Sequence, residues 1–249
     1  SKTGFSSTVD GTLVAEISGN TVLVVTQQEK KPNRNQVKVK LEERVKAFEE
    51  KMNVKANKDD KSSMEAEIVR SLLPNVFPNK EVHTTVIFTD EYLLVESGSP
   101  KKAEDIVSML RSVLGSLQAI PLQTVKSPEE VLGSIIVKNT TEFLMGEKIV
   151  ISTDNGSQKG KSSFAKDNVY DQETKRLVNS GSFVDTIQLG LEDTLFTIKA
   201  DLSISGIKFS KSFLSEVDKS DEAGSFILKM GEIELLVAEL VETMGGIVE

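Results

Sequence analysis

A chain of 249 residues with 38% hydrophobic and 27% charged content can bury one large core or two small ones, so it needs no disulfide or metal staple to fold. It has no cysteine and one histidine, which excludes a disulfide framework, a thiolate zinc site and a cysteine nucleophile. The net charge of -8 argues against a uniformly basic nucleic-acid binder, and no apolar run is long enough to span a bilayer or serve as a secretory h-region, so a cytoplasmic location is expected.

Leu13, Ala15 and Ile17 alternate with polar residues and predict a strand. Gly19-Asn20 predicts a turn into a second strand over Val22–Thr26, which Lys31-Pro32-Asn33 closes. Val37, Leu41, Val45, Phe48 and Met52 recur at three- and four-residue spacing, giving a helix over 35–52 with one apolar stripe and a charged opposite face. Asn53 to Lys61 reads as a polar connector, and Ser62 or Ser63 as the cap of a helix that ends at Pro74. A hairpin follows, with strands at 82–88 and 92–95 around Asp90-Glu91. A helix over 101–114 is closed by Gly115, and a short strand spans 119–122. Ser127-Pro128-Glu129-Glu130 is a helix start.

In the second half, 149–152 reads as a strand and 153–163 as a loop bearing glycine, serine and lysine. A short helix over 171–178 precedes an antiparallel meander at 183–191, 194–202 and 206–209. Helices over 211–218 and 231–244 complete the chain. Hairpins and helices mix without regular strand-helix alternation, so the fold class is α+β. The organisation expected is an N-terminal α+β region over 1–126, with a basic helical segment at 30–61. A C-terminal α+β region follows over 127–249, with a projecting lysine-bearing loop at 153–170 and a C-terminal helix.

Charge is unevenly distributed. Eleven basic residues lie between Lys30 and Lys61 against six acidic ones, whereas from Phe213 onward two lysines face nine acids. One basic surface on an acidic protein can hold a phosphate backbone. Lys38, Lys40, Arg44, Lys51 and Lys55 are candidates for such contacts, with solvated helix positions as the alternative. Aromatic residues do not interleave with the lysines, which speaks against a stacking platform for single strands. Binding would then proceed through phosphates without reading bases.

Catalytic patterns are sparse. His83 stands at a strand start without a second base for a serine triad, and reads as a surface histidine. Glu42, Glu43, Glu49 and Glu50 lie on a helix face and read as solvated, not as magnesium ligands of a nuclease. Around Gly160-Lys161-Ser162 the phosphate-binding loop lacks its first glycine, because position 155 is Asn. A surface loop, or a lysine-bearing loop that touches DNA through Lys159 and Lys161, fits better. No cofactor or metal site is expected.

Three stretches carry a family likeness. The first is Ser71-Leu72-Leu73-Pro74-Asn75-Val76-Phe77. The second runs from Pro100-Lys101-Lys102-Ala103-Glu104 through Leu110-Arg111 and Leu114-Gly115-Ser116-Leu117 to Pro121-Leu122. The third is Phe226-Ile227-Leu228-Lys229-Met230-Gly231-Glu232, with Gly245-Gly246 near the end. In this order and at these distances they resemble the RdgC family over nearly the whole chain. The resemblance implies a homodimer closed into a ring, with double-stranded DNA held without sequence preference in a positively lined hole. It also implies nucleoid association and restraint of RecA-type recombinase access. An acidic net charge is compatible with that arrangement, because only the inner wall must be basic. Phe77 matches a family phenylalanine at a dimer contact, with a core phenylalanine as the other reading, and Lys101 and Lys102 match a family lysine pair. Asn75 stands where the family is often basic. The family's projecting tip falls near Ala165-Lys166-Asp167-Asn168, where Lys159, Lys161 and Lys166 supply the charge. The family's chains begin a few dozen residues before the position of Ser1. A DNA exonuclease, or a module acting directly on a recombination protein through the acidic C-terminal helix, are the other functions considered.

Overall fold

A computed structural model describes residues 2–8, 10–78, 80–138, 142–154, 159–217 and 221–248. The fold is α+β, as expected: ten strands in two sheets and seven α-helices among the described residues. The chain divides into two units, residues 1–14 with 22–86, and residues 15–21 with 87–249.

The chain opens with β1 (Lys2–Ser6), which sequence reading missed. Its five residues carry little alternation and are recruited by antiparallel pairing with the longer β3 (Asn20–Glu29), Phe5 opposite Val25. Between them lies β2 (Val14–Ile17), in which Ala15 and Ile17 are buried while Leu13 stays outside and exposed. The reversal falls on Ser18-Gly19, one residue earlier than expected. Both have positive φ, 50° and 81°, the two-residue turn whose twist suits a hairpin. The first sheet has the order β1-β3-β4-β5, with β2 alongside β3; β4 spans Lys80–Phe88 and β5 Leu93–Val95.

Helix α1 (Arg34–Met52) starts at Asn33, whose side chain accepts the Asn35 N–H, and ends at Asn53 in the left-handed region. Its apolar stripe is shallow. Val37 is buried, Leu41, Val45 and Phe48 are half-buried, and Met52 is exposed, so the stripe stops one turn short of the expected end. Helix α2 (Lys58–Leu72) begins four residues before the expected caps. Asn57 and Asp60 form a reciprocal capping box, 2.8 and 3.0 Å, which overrides Ser62 and Ser63 and makes Lys58 and Lys61 helical. A 3-10 turn at Leu73–Asn75 ends it.

Helix α3 (Pro100–Leu114) starts one residue before the expected Lys101 and ends where expected, with Ser99 accepting from the Lys102 N–H and Gly115 closing the end at φ 77°. The strand expected over 119–122 does not form. The backbone pairs just after it with the C-terminal tail instead, Thr124 bridging Ile247 and the Val125 N–H donating to Gly246 O, a partner more than 120 residues away that no local pattern reveals. Helix α4 spans Pro128–Lys138.

The expected loop over 153–170 is largely regular structure. Strand β6 (Leu144–Asp154) continues into an antiparallel partner, β7 (Lys159–Ala165), in register from Lys148 opposite Ala165 to Asp154 opposite Lys159. Its polar, glycine-containing sequence hid an edge strand, which needs little apolar content. Residues 155–158 of the expected loop lie outside the described residues. A 3-10 turn, Lys166–Tyr170, leads to α5 (Gln172–Asn179). The meander is present as β8 (Phe183–Leu191), β9 (Thr194–Lys199) and β10 (Ile204–Phe209), and the second sheet runs β10-β9-β8-β6-β7. Helix α6 (Lys211–Glu216) and the long α7 (Glu222–Thr243) follow. Helix α7 starts nine residues before the expected Gly231, because Asp221 caps it and the helix runs through Gly224 and Gly231.

One face of the second sheet makes the main core. Ile149 and Ile151 of β6, Ile187 and Leu189 of β8, and Phe196 and Ile198 of β9 pack with Leu132 and Ile136 of α4 and with Leu236 and Leu240 of α7. Phe143 meets Phe196 edge-to-face at 5.8 Å. Each of these side chains contributes about 2 kcal/mol by leaving water. With the helices gathered on this face, the opposite face of the sheet carries the polar side chains.

Candidate nucleic-acid interface

Strand alternation decides which side chains share that opposite face. Ile149 and Ile151 point into the core, so their neighbours Lys148 and Ser152 point outward, and the directly paired Ala165 and Lys161 point the same way. Lys159 pairs with Asp154 on this side. Across β8 and β9, Ile187 and Leu189 pair with Ile198 and Phe196 in the core, which leaves Thr186 opposite Lys199 and Gln188 opposite Thr197 outside. On β10, Ser205 pairs with Thr197 and, after a bulge, Lys208 pairs with Leu195. The outer face therefore carries Lys148, Lys159, Lys161, Lys199 and Lys208 among hydroxyl and amide side chains, with Asp154 and Leu195 on the same side.

The start of α3 lies against the same face. A Cβ placed on Gly98 would stand 3.2 Å from Ser205 Cβ, and Lys199 Nζ donates to Gly98 O at 3.4 Å. Gly98 thus permits the close approach, and Lys101 and Lys102 in the first turn are brought to the β9–β10 side. Lys159 and Lys161 stand on β7 at the other edge. Lys166 follows directly, exposed, in the left-handed region at φ 56°. Four strand spacings separate β10 from β7, so the lysines spread over about 19 Å. That width reaches phosphates on both sides of a B-DNA groove about 12 Å wide.

Several expected cations already have partners. Lys159 pairs with Asp154 at 3.0 Å and Lys161 with Asp185 at 2.9 Å. In the other unit, Lys38 faces Glu42 at 3.9 Å, and Arg44 pairs with Glu67 of α2. Exposed pairs of this kind hold about 0–1 kcal/mol, so a phosphate can displace the carboxylate. Lys40, Arg44 and Lys51 fall within about 40° of one another around α1, while Lys38 lies on the other side. Lys55 is exposed just beyond the helix. Phe77 is 87% exposed and belongs to no core of this chain.

Sequence reading missed Lys148, Lys199 and Lys208, which stand apart in the chain and form no basic run. The signal was available in alternation: Lys148 directly precedes Ile149-x-Ile151, and Lys199 directly follows Phe196-x-Ile198. Lys161 belongs to a β-strand, which separates it from the loop-to-helix setting of a phosphate-binding loop.

His83 is exposed, and its Nδ1 lies 2.8 Å from Thr26 Oγ1, which in turn lies 2.6 Å from Ser6 Oγ. Among the described residues no three His, Asp or Glu side chains are grouped to hold a metal ion. A shallow cleft does collect Glu129, Asp185 and Asp201 beside Lys199, without the convergence a metal site requires. No described helix is long and apolar enough to cross a membrane.

The model of the RdgC family, described as "Putative exonuclease, RdgC", matches residues 1–247. The chain is 30% identical to the recombination-associated protein RdgC of Pasteurella multocida (strain Pm70) over 261 residues, covering 99% of this chain and 85% of that protein. It is 30% identical to the protein of the same name from Shewanella sediminis over 264 residues, 99% of this chain and 86% of the relative. Against that of Actinobacillus pleuropneumoniae serotype 7 it is again 30% identical over 264 residues, with 100% and 86% covered. These relatives are named for recombination and not for an enzymatic activity. The chain belongs to the RdgC family of recombination-associated proteins.

Proposed function

We propose that this protein binds double-stranded DNA without sequence preference and without cleaving it, and so limits the access of a RecA-type recombinase. The observation that carries the reading is the outer face of the second sheet, where five lysines outnumber Asp154 and Asp185 among Ser, Thr and Gln side chains on a protein of net charge -8. Ammonium groups and hydroxyls suit phosphate oxygens, and they carry no base code. Lys101, Lys102 and Lys166 extend the track, and Lys40, Arg44, Lys51 and Lys55 form a second basic surface in the other unit, with Lys38 on the far side of α1. The family resemblance adds a homodimer closing around the duplex, with the exposed Phe77 as an anchor between copies, and a nucleoid location in the cytoplasm. Among the described residues, no grouping of carboxylates supports the exonuclease label of the family.

The test is duplex binding by the wild type and by the double variant Lys148→Gln, Lys208→Gln. Each lost phosphate contact lowers the salt slope by about 0.9, so the variant's slope is shallower by about 1.8. Equal slopes for the two proteins would remove this face from the binding surface.

A further inference from the structure

On the premise that the outer face of the second sheet is the DNA surface proposed above, we infer that Asp185 is a built-in competitor of the DNA phosphates and sets how tightly this face holds a duplex. The contact is unusual in its reach. Lys161 stands on β7 and Asp185 on β8, with β6 between them, yet Nζ and Oδ2 are 2.9 Å apart. The lysine therefore lies flat across β6 instead of projecting from the face.

Asp185 is held in that position by the backbone. Val150 pairs with Thr186 and Ile151 with Val184, so the register shifts and Asp185 is the extra residue of a bulge. Bulges re-aim side chains, and this one turns a carboxylate onto the lysine-bearing face. The Ala200 N–H donates to Asp185 O at 3.0 Å, and Thr186 Oγ1 donates to its carboxylate at 3.3 Å. The side chain of Asp185 is 29% exposed, against 65% for Lys161. The acid is thus the fixed partner and the lysine the movable one. A duplex that recruits Lys161 must first displace it from Asp185 and then lie beside the uncovered carboxylate. Both effects weaken binding, and neither is visible in a count of lysines.

The experiment measures binding of a labelled duplex to the full chain as wild type, Asp185→Asn, Lys161→Met and the double variant. Glu173→Gln serves as the control for bulk charge, because α5 packs on the core face through Leu177 and Val178. An exposed ion pair is worth up to about fivefold, so Asp185→Asn binds about fivefold tighter than Glu173→Gln, with a salt slope steeper by about 0.9. The gain disappears in the Lys161→Met background. Two results overturn the inference while leaving the DNA reading in place: Asp185→Asn no tighter than Glu173→Gln, or a gain that survives Lys161→Met. A wild type that shows no salt-sensitive binding overturns the DNA reading, and the inference with it. Unchanged thermal unfolding of Asp185→Asn identifies its effect as one on binding and not on folding.

Discussion

Gly146 is a position where one methyl group should cost measurable stability. It lies in β6 where that strand crosses β8 through a register shift, and a Cβ there would stand 2.6 Å from Gln188 Cγ, 2.7 Å from Gln188 O and 2.9 Å from its carbonyl carbon. The glutamine side chain can move aside, but its carbonyl belongs to a strand that is paired with β9 at Thr197. Relief therefore requires β6 and β8 to separate locally, which also strains the bond from the Glu147 N–H to Gln188 Oε1. Overpacking of this kind costs about 1–3 kcal/mol, and the gain from replacing glycine in a strand returns about 0.5–1 kcal/mol. The net loss for Gly146→Ala is about 1 kcal/mol, a fall in Tm of about 2–4 °C for a chain of this size. Gly160→Ala is the matched control, since that position on β7 has nothing within 4 Å of a built Cβ. Calorimetry or circular dichroism reads both. If Gly146→Ala melts with the wild type, the β6–β8 crossing does not have the closeness described.

Two further outcomes rest on buried polar groups. Thr84 is buried with a hydroxyl that has no hydrogen-bond partner among the described residues, so Thr84→Val should raise stability by about 1 kcal/mol, seen as a Tm increase; a decrease would mean the hydroxyl is satisfied. The chain has two tyrosines, and burial pushes Tyr170 up to about 12 and Tyr92 upward as well, aided by Glu91. An ultraviolet titration of the native protein should show both phenols ionising above their ordinary value near 10, with the later step lost in Tyr170→Phe. The sign follows: the folded state holds these protons more tightly, so this stabilisation is complete below the unfolded pKa near 10 and is lost as pH rises toward 12.

Much of the fold was legible where signals were local. Helix α3 was read to within a residue because Ser99, Pro100 and Gly115 mark both ends, and the meander β8–β10 because apolar residues alternate. The failures have physical causes. Strands β1 and β7 exist through their partners and not through their own composition. The pairing near Thr124 depends on a tail more than 120 residues away. At α2, a capping box from Asn57 prevailed over two serines that also suit a cap. The site was half legible. Runs and family motifs pointed to Lys101, Lys102, Lys159 and Lys161, but only sheet register brings Lys148, Lys199 and Lys208 onto the same face. The ion pairs of Lys161 and Arg44 are tertiary contacts that a charge count cannot see.

The most direct test is the affinity of the chain for two linear duplexes of unrelated sequence, measured at several salt concentrations with and without magnesium. Eight lysines on the second unit's track (positions 101, 102, 148, 159, 161, 166, 199 and 208) would give a log-log salt slope near -7 if all met phosphate, somewhat less with Lys161 held by Asp185. The account predicts equal affinities for the two sequences, a steep slope and intact DNA after incubation with magnesium. A flat salt response, a strong preference between the sequences, or shortening of the duplex would contradict it.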